Sequence, residues 1–349
     1  MSDALLIKFL ALMGFVVVVN VILFWRQNVD MSESKADLEA TIQMLERKKT
    51  NLLMKNTDLE RQAHRMALKM EHLEIEVRDY SQARHDRKNL PMVFFVTPTK
   101  RRPEQKADLT RLGQTLAHIP NLFWILVEDA EGPSDMIRDL LDRLKMTQTS
   151  AHLAVSTPEK MRMNASDPNW KLPRGVEQRN AALEYLRTNH ASWHRGAVYF
   201  GDDDNTYDWR LFDEIRKINR VGVWPVGIVG GLIVEAPIVA SNGTVTGFTA
   251  KWKPERPFPI DMAAFAVNLS LIVENRDAGF SFDVPRGYQE SHFLTSLKLS
   301  RNDLEPRADF CSKVYVWHTR TEKAQLSKKD LQRTLDPAQL SEPERNAIA

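Results

Sequence analysis

Apolar residues follow three textures along this chain. They are nearly continuous from Ala4 to Trp25, return once in seven from Leu38 to Leu73, and beyond Leu90 come as short runs between amphipathic stretches. The first texture, broken between Phe9 and Trp25 only by Asn20 and bordered by Lys8 and Arg26, approaches the roughly 20 residues that cross a bilayer. It predicts a retained anchor. A cleaved signal peptide is the competing reading, against which the exit Phe24-Trp25-Arg26-Gln27 offers no small-x-small site. One cation on each side leaves orientation undecided. The second texture sets Leu38, Leu45, Leu52, Leu59, Met66 and Leu73 at d positions, with Lys35, Ile42, Lys49, Asn56, Ala63, Met70 and Val77 at a. A leucine seam that admits Asn and Lys at a predicts a parallel two-stranded coiled coil, and a long solvated single helix is the alternative. Anchor and rod together make a stalk.

The third texture predicts a head. Met92 to Val96, Phe123 to Val127, His152 to Val155 and Ala197 to Phe200 read as buried strands. Between and after them, helical faces are marked by Leu109, Leu112 and Leu116, by Ile137, Leu140, Leu141 and Leu144, by Val176 to Leu186, and by Leu211, Ile215 and Ile218. This succession predicts an α/β fold with a mostly parallel sheet covered on both faces, its ligands beyond the carboxyl ends of the strands. From Val221 the strands shorten (Val221 to Val226, Leu232 to Glu235, Thr244 to Thr249), which predicts a mixed-sheet second half. The expected organisation is a short tail over 1–8, an anchor over 9–25, a stem over 26–89, a first half over 90–220, a second half over 221–323 and a polar surface tail over 324–349.

Composition adds exclusions. Lys and Arg number 48 against 46 Asp and Glu, a balance of +2 that gives no basic excess for a nucleic-acid partner. The single cysteine, Cys311, excludes a disulfide scaffold and a cysteine zinc site. The chemistry concentrates in Gly201-Asp202-Asp203-Asp204-Asn205, directly after a predicted buried strand. Three adjacent carboxylates repel one another, and a divalent cation with hard oxygen ligands and a substrate diphosphate would relieve them. A solvated Asp-rich turn or cap ahead of Trp209 is the other reading.

Several motifs stand in one order: Val96-Thr97-Pro98-Thr99, Leu126-Val127-Glu128-Asp129-Ala130, Pro173-Arg174-Gly175-Val176-Glu177-Gln178-Arg179-Asn180, Tyr199 to Tyr207, Val223-Trp224-Pro225-Val226-Gly227, Arg256-Pro257-Phe258-Pro259 and Val316 to Lys323. Together they resemble the β-1,3-glucuronosyltransferases, Golgi type II membrane enzymes, over about Leu90 to Lys323. The resemblance implies a GT-A type nucleotide-sugar fold, a homodimer, Mn²⁺, and inverting transfer from UDP-α-glucuronate to the 3-hydroxyl of galactose. Carried over residue by residue, it implies Asp204 as metal ligand. Asp129, Arg174, Arg179, Asp202, Asp203, His318 and Arg320 become donor contacts, and Glu235, Trp252, Arg256 and Asp261 acceptor contacts. Glu290, in Arg286-Gly287-Tyr288-Gln289-Glu290-Ser291, matches the family's base; on residues alone it reads as a capping or surface acid.

Two departures stand out: Lys100 replaces the tyrosine that usually follows Thr-Pro-Thr, and the tail after Lys323 does not reproduce the family's partner-subunit glutamine. No cysteine in the stem could link two chains, so association is expected to be non-covalent. Among acceptors, the Pro173 to Asn180 motif and Trp252 resemble members acting on the proteoglycan linkage region, Galβ1,3Galβ1,4Xyl. Gly287 to Ser291 and Asn268-Leu269 look more like members acting on terminal N-acetyllactosamine. An anchored, non-catalytic sugar-binding head is the third reading. The tripeptides at Asn164, Asn242 and Asn268 are candidate glycosylation sites that fit a lumenal head.

Overall fold

A computed structural model describes residues 3–85, 90–163, 167, 171–192, 195–334 and 336–348. They divide into two compact units, Met1–Gln82 and Ala83–Ala349.

The first unit is one unbroken helix, α1 (Asp3–His85). Its stretch Ile7–Val29 is long and apolar enough to cross a membrane. That span exceeds the sequence-based 9–25, because the helix continues past Trp25 without a Pro or Gly to stop it. Residues 86–89, the end of the expected stem, lie outside the described residues. Leu38, Leu45, Leu52, Leu59 and Met66 are more than half exposed on this lone helix. A stripe of that kind is what a second helix covers in a coiled coil.

In the second unit, β1 (Met92–Thr99), α2 (Gln105–Leu116), β2 (Leu122–Glu128), α3 (Asp135–Arg143), β3 (Ser150–Ala154), α4 (Val176–Asn189), β4 (Gly196–Phe200), β5 (Thr206–Tyr207) and α5 (Arg210–Arg216) come first. The chain continues through β6 (Val221–Val223), β7 (Val226–Val229), β8 (Leu232–Glu235), β9 (Pro237–Val239), β10 (Val245–Phe248), β11 (Phe265–Asn268), α6 (Leu269–Glu274), α7 (Gln289–Ser296), β12 (Leu304–Pro306) and β13 (Val316–Trp317). A seven-stranded sheet has the order β12-β6-β11-β4-β1-β2-β3, and β11 is antiparallel to both its neighbours. A four-stranded sheet runs β5-β13-β7-β8, and β9 pairs with β10. The large sheet crosses residue 221, so the two expected halves share it.

Alternation with both faces covered explains why β1 is apolar from Met92 to Val96. Phe94 meets Phe123 and His190 on one face, while Phe95 meets Tyr199, Tyr207 and Phe212 on the other. The expected strand Val221 to Val226 divides at Trp224-Pro225, where proline has no N–H to give a ladder. The polar C-terminus carries two short helices, α8 (Lys328–Arg333) and α9 (Glu342–Ile348). It is fastened by Arg101 to the Thr334 carbonyl at 3.0 Å and by Lys106 to the Asn346 carbonyl at 2.7 Å. Backbone bonding rather than an apolar stripe holds this tail, so periodicity could not reveal it.

Candidate active site

Parallel strands end side by side: Thr99 pairs with Glu128 across β1 and β2, and Val96 with Phe200 across β1 and β4. Beyond these ends the Gly201 N–H donates to the Val96 carbonyl at 2.9 Å. A Cβ on Gly201 would stand 2.1 Å from the Phe95 ring, so only glycine lets the backbone pass that close to the core. The three carboxylates that follow have different surroundings. Asp202 lies 3.1 Å from the Arg179 guanidinium. Asp203 is buried, receives the Thr99 hydroxyl at 2.6 Å, and takes both terminal nitrogens of Arg102 at 2.9 and 2.8 Å. Among the described residues no side chain hydrogen-bonds the Asp204 carboxylate, and burial, then Asp202 and Asp203, raise its pKa above the ordinary value. Such a group fits a hard cation. Among the described residues no set of three His, Cys, Asp or Glu side chains is gathered around a metal position. A cation on Asp204 would therefore take its remaining oxygens from a bound ligand or water.

The segment after β13 closes on this loop. The His318 N–H donates to the Gly227 carbonyl at 2.9 Å, and the Thr319 hydroxyl to the Asp204 carbonyl at 2.6 Å. The Thr321 hydroxyl donates to Asp108 at 2.6 Å, whose other oxygen receives Arg102 at 2.7 Å. Fully buried Asp108 thus joins the partner of Asp203 to the segment carrying His318. Arg102 and Asp108 are six residues apart, but local spacing could not have tied them to the site, because Arg102 reaches Asp203 across 101 residues and Thr321 reaches Asp108 across 213.

A cavity of about 690 Å³ opens beside that segment, and Glu235, Trp252, Arg256, Asp261, Glu290, His318, Thr319 and Arg320 line it. The structure therefore brings together all four predicted acceptor contacts, the predicted base and two predicted donor contacts. Core packing aims Asp261: Trp224 Nε1 at 2.8 Å and the Tyr199 hydroxyl at 3.0 Å both donate to the Ala263 carbonyl, and Asp261 caps that same turn through the Ala263 N–H at 2.9 Å. Its carboxylate stands 3.4 Å from His318 Nδ1. Burial opposes charge on Asp261, but His318 and the Ala263 N–H outweigh it and hold its pKa below the ordinary value. In return, Asp261 raises the His318 pKa.

Glu290 sits in the first turn of α7, where burial, then repulsion from Asp261, push its pKa up to about 7. Arg256, 3.6 Å away, moderates the rise. That arginine is itself fixed by the Gly287 carbonyl at 2.6 Å, the Lys253 carbonyl at 3.2 Å and the Trp252 carbonyl at 3.2 Å. It supports Glu290 as well as lining the cavity. Gly287 has a φ of +81°, and a Cβ there would lie 2.6 Å from Trp252 Nε1, so the loop before Glu290 can pass under the indole only as glycine. Trp252 keeps one ring face covered by Arg286 at 4.8 Å and remains 44 % exposed. Glu235 is buried, and burial and then Asp261 raise its pKa.

Other predicted residues lie outside that lining. Asp129 follows β2, accepts the Thr157 N–H at 2.7 Å, and lies 3.9 Å from Lys100 Nζ. Arg174 is exposed, and its carbonyl receives Arg179 at 2.9 Å. Arg179 is near enough to the cavity to lower the pKa of both Asp261 and Glu290. Asn242 is in an exposed turn, Asn268 is half-buried and caps α6 through the Ser270 N–H, and Asn164 lies outside the described residues.

The model of glycosyltransferase family 43 matches residues 112–322. Galactosylgalactosylxylosylprotein 3-beta-glucuronosyltransferase sqv-8 of Caenorhabditis elegans is 52 % identical over 304 residues, 87 % of this chain and 85 % of the relative. Galactosylgalactosylxylosylprotein 3-beta-glucuronosyltransferase I of Drosophila melanogaster is 52 % identical over 242 residues, 68 % and 78 %. Galactosylgalactosylxylosylprotein 3-beta-glucuronosyltransferase 3 of Homo sapiens is 48 % identical over 251 residues, 69 % and 74 %.

Proposed function

We propose, from the premise that the chain belongs to glycosyltransferase family 43, that it is a β-1,3-glucuronosyltransferase of the proteoglycan linkage region. It transfers glucuronate from UDP-α-glucuronate to the 3-hydroxyl of the terminal galactose in Galβ1,3Galβ1,4Xyl on a core protein. The names and identities of its relatives support both donor and acceptor. The observation that carries the reading is Glu290: a half-buried carboxyl with a pKa pushed up to about 7, opposite Arg256, in a cavity lined by the exposed Trp252 indole on one side and His318 and Arg320 on another.

In this reading the galactose ring lies on Trp252, as a C–H-rich sugar face does on an aromatic face. Glu290 accepts the 3-hydroxyl proton as that oxygen bonds to the anomeric carbon and the bond from that carbon to UDP breaks. A base poised near 7 is half ionised at neutral pH and returns its proton easily once product leaves. One displacement from the face opposite UDP inverts the anomeric centre. His318, its charged form favoured by Asp261, with Arg320, Arg174 and Arg179, binds the diphosphate and the glucuronate carboxylate. Asp129, Asp202 and Asp203 face the uridine part of a GT-A type donor site. Asp204 would hold Mn²⁺, which when bound supplies the positive charge that a departing diphosphate needs.

The span Ile7–Val29 supports a signal anchor, and the resemblance to the β-1,3-glucuronosyltransferases supports a type II topology with the head in the Golgi lumen. The exposed heptad leucines support a non-covalent homodimer.

Incubating the detergent-solubilised chain with UDP-glucuronate, Mn²⁺ and galactosyl acceptors tests the function. Transfer to Galβ1,3Galβ1,4Xyl, abolished in Asp204→Ala and Glu290→Gln, is expected. No transfer to any galactosyl acceptor would return the head to a sugar-binding role, and preference for N-acetyllactosamine would reassign the acceptor.

A further inference from the structure

On the surface formed by β10 and β12, four consecutive non-glycine residues adopt left-handed backbone: Ala308, Asp309, Phe310 and Cys311, with φ of 54°, 56°, 51° and 62°. Each such L-residue costs roughly 1–2 kcal/mol. The turn is held from outside, by the Ala308 N–H to the Glu214 carboxylate at 2.9 Å and the Arg307 N–H to the Val223 carbonyl at 2.9 Å. Its outcome is that Phe310 stands 68 % exposed rather than joining the core. A strained turn that presents an aromatic ring calls for a purpose.

Phe310 borders a cavity of about 350 Å³ whose mixed walls also carry Arg301, Asn302, Glu305 and Arg307. An aromatic face beside charged and amide groups is the chemistry that receives a pyranose, its C–H face on the ring and its hydroxyls and amide on the polar side chains. Gly243 and Thr244 line the same cavity. They belong to the sequon Asn242-Gly243-Thr244, and a Cβ on Gly243 would lie 3.7 Å from the Phe310 ring. The Thr244 hydroxyl and N–H both donate to Asn242 Oδ1, at 2.7 and 3.1 Å, and so engage the oxygen rather than the nitrogen that glycosylation substitutes.

We propose that Asn242 carries an N-linked glycan whose first N-acetylglucosamine packs on Phe310 and fills the cavity toward Arg301 and Asn302. The bond from Asn242 Nδ2 to the sugar's anomeric carbon forms as that carbon parts from a lipid-linked pyrophosphate, which leaves with one amide proton. The inference rests on the lumenal placement of the head but not on its transferase activity.

The test is a cycle of full-length wild type, Asn242→Gln, Phe310→Ala and the double variant, expressed in eukaryotic cells and solubilised in detergent. Asn242→Gln should remove one N-glycosidase-sensitive step in gel mobility, which Phe310→Ala retains. The unfolding midpoint, followed by tryptophan fluorescence, should fall by about 2–4 °C in Phe310→Ala, and by less than half as much when Asn242 is already Gln. Equal falls in both backgrounds would overturn the contact. A bare Asn242 in a chain glycosylated at Asn164 or Asn268 would overturn the proposal while leaving the head in the lumen, and a chain without glycan anywhere would remove both.

Discussion

Glu290→Gln should cost the enzyme its activity and stabilise its fold. Burial and Asp261 displace the Glu290 pKa from 4.5 to about 7 in the folded protein. Every pH unit of such displacement corresponds to about 1.4 kcal/mol, so ionising this carboxyl opposes folding by at most about 3.5 kcal/mol. Below about pH 4.5 the group is protonated whether the chain is folded or not, and glutamine changes little. Between there and pH 7 the unfolded chain ionises first, so the wild type progressively loses the stability that proton retention gives it. Above 7 the deficit is constant. Allowing for relaxation around Arg256, we expect the variant to gain about 1–2 kcal/mol at pH 8, or roughly 3–8 °C in midpoint for a head of this size. The assay is thermal unfolding of both proteins from pH 5 to 8.5, beside initial rates. Wild-type kcat/KM should fall about tenfold per pH unit well below 7, and the variant should lose about 10²-fold or more at pH 8 and lack that acid limb. A variant equally stable or less stable at pH 8, or a gap independent of pH, would refute the electrostatic reasoning even if activity vanished.

Asp108→Asn removes the buried charge that serves Arg102 and Thr321 together, and we expect KM for UDP-glucuronate to rise about tenfold, a loss typical of a charged hydrogen bond. KM for the acceptor should stay level, and parallel rises in both would make Asp108 merely structural. Lys100→Tyr releases Asp129 and supplies a stacking face, so calorimetry should register UDP binding several-fold more tightly, by about 1 kcal/mol; weaker binding would assign Lys100 a direct part in holding the nucleotide. Leu52→Lys with Leu59→Lys places charge in the proposed seam, and crosslinking in detergent should then find monomers. Persistent dimers would locate the interface elsewhere.

The parts of the fold visible in the sequence are those where local pattern and final burial coincide. β1, β2 and β4 are covered on both faces and therefore spell continuous apolar runs, and the acidic run that follows β4 marks the site. β11 is also apolar, but its antiparallel insertion between β4 and β6 depends on chain path, not on local pattern. β5 and β13 are two residues each, too short for any period. Within the site, the motifs named the groups facing the cavity. They were silent on what aims those groups: Arg102 behind Asp203, Asp108 behind Thr321, Trp224 and Tyr199 behind Asp261. Each of these is a pairing across 39 residues or more, or across the sheet, and has no signature in spacing.

Because the Thr319 hydroxyl reaches back to Asp204 and Thr321 to Asp108, across 115 and 213 residues, the acidic loop is fastened only by residues translated long after it. A nascent chain still attached to the ribosome would have its acidic loop made but unfastened. A premature stop just before His318 would yield a head with nearly all its core and an unfastened acidic loop, which makes nonsense alleles at that point a sharp genetic probe of this architecture.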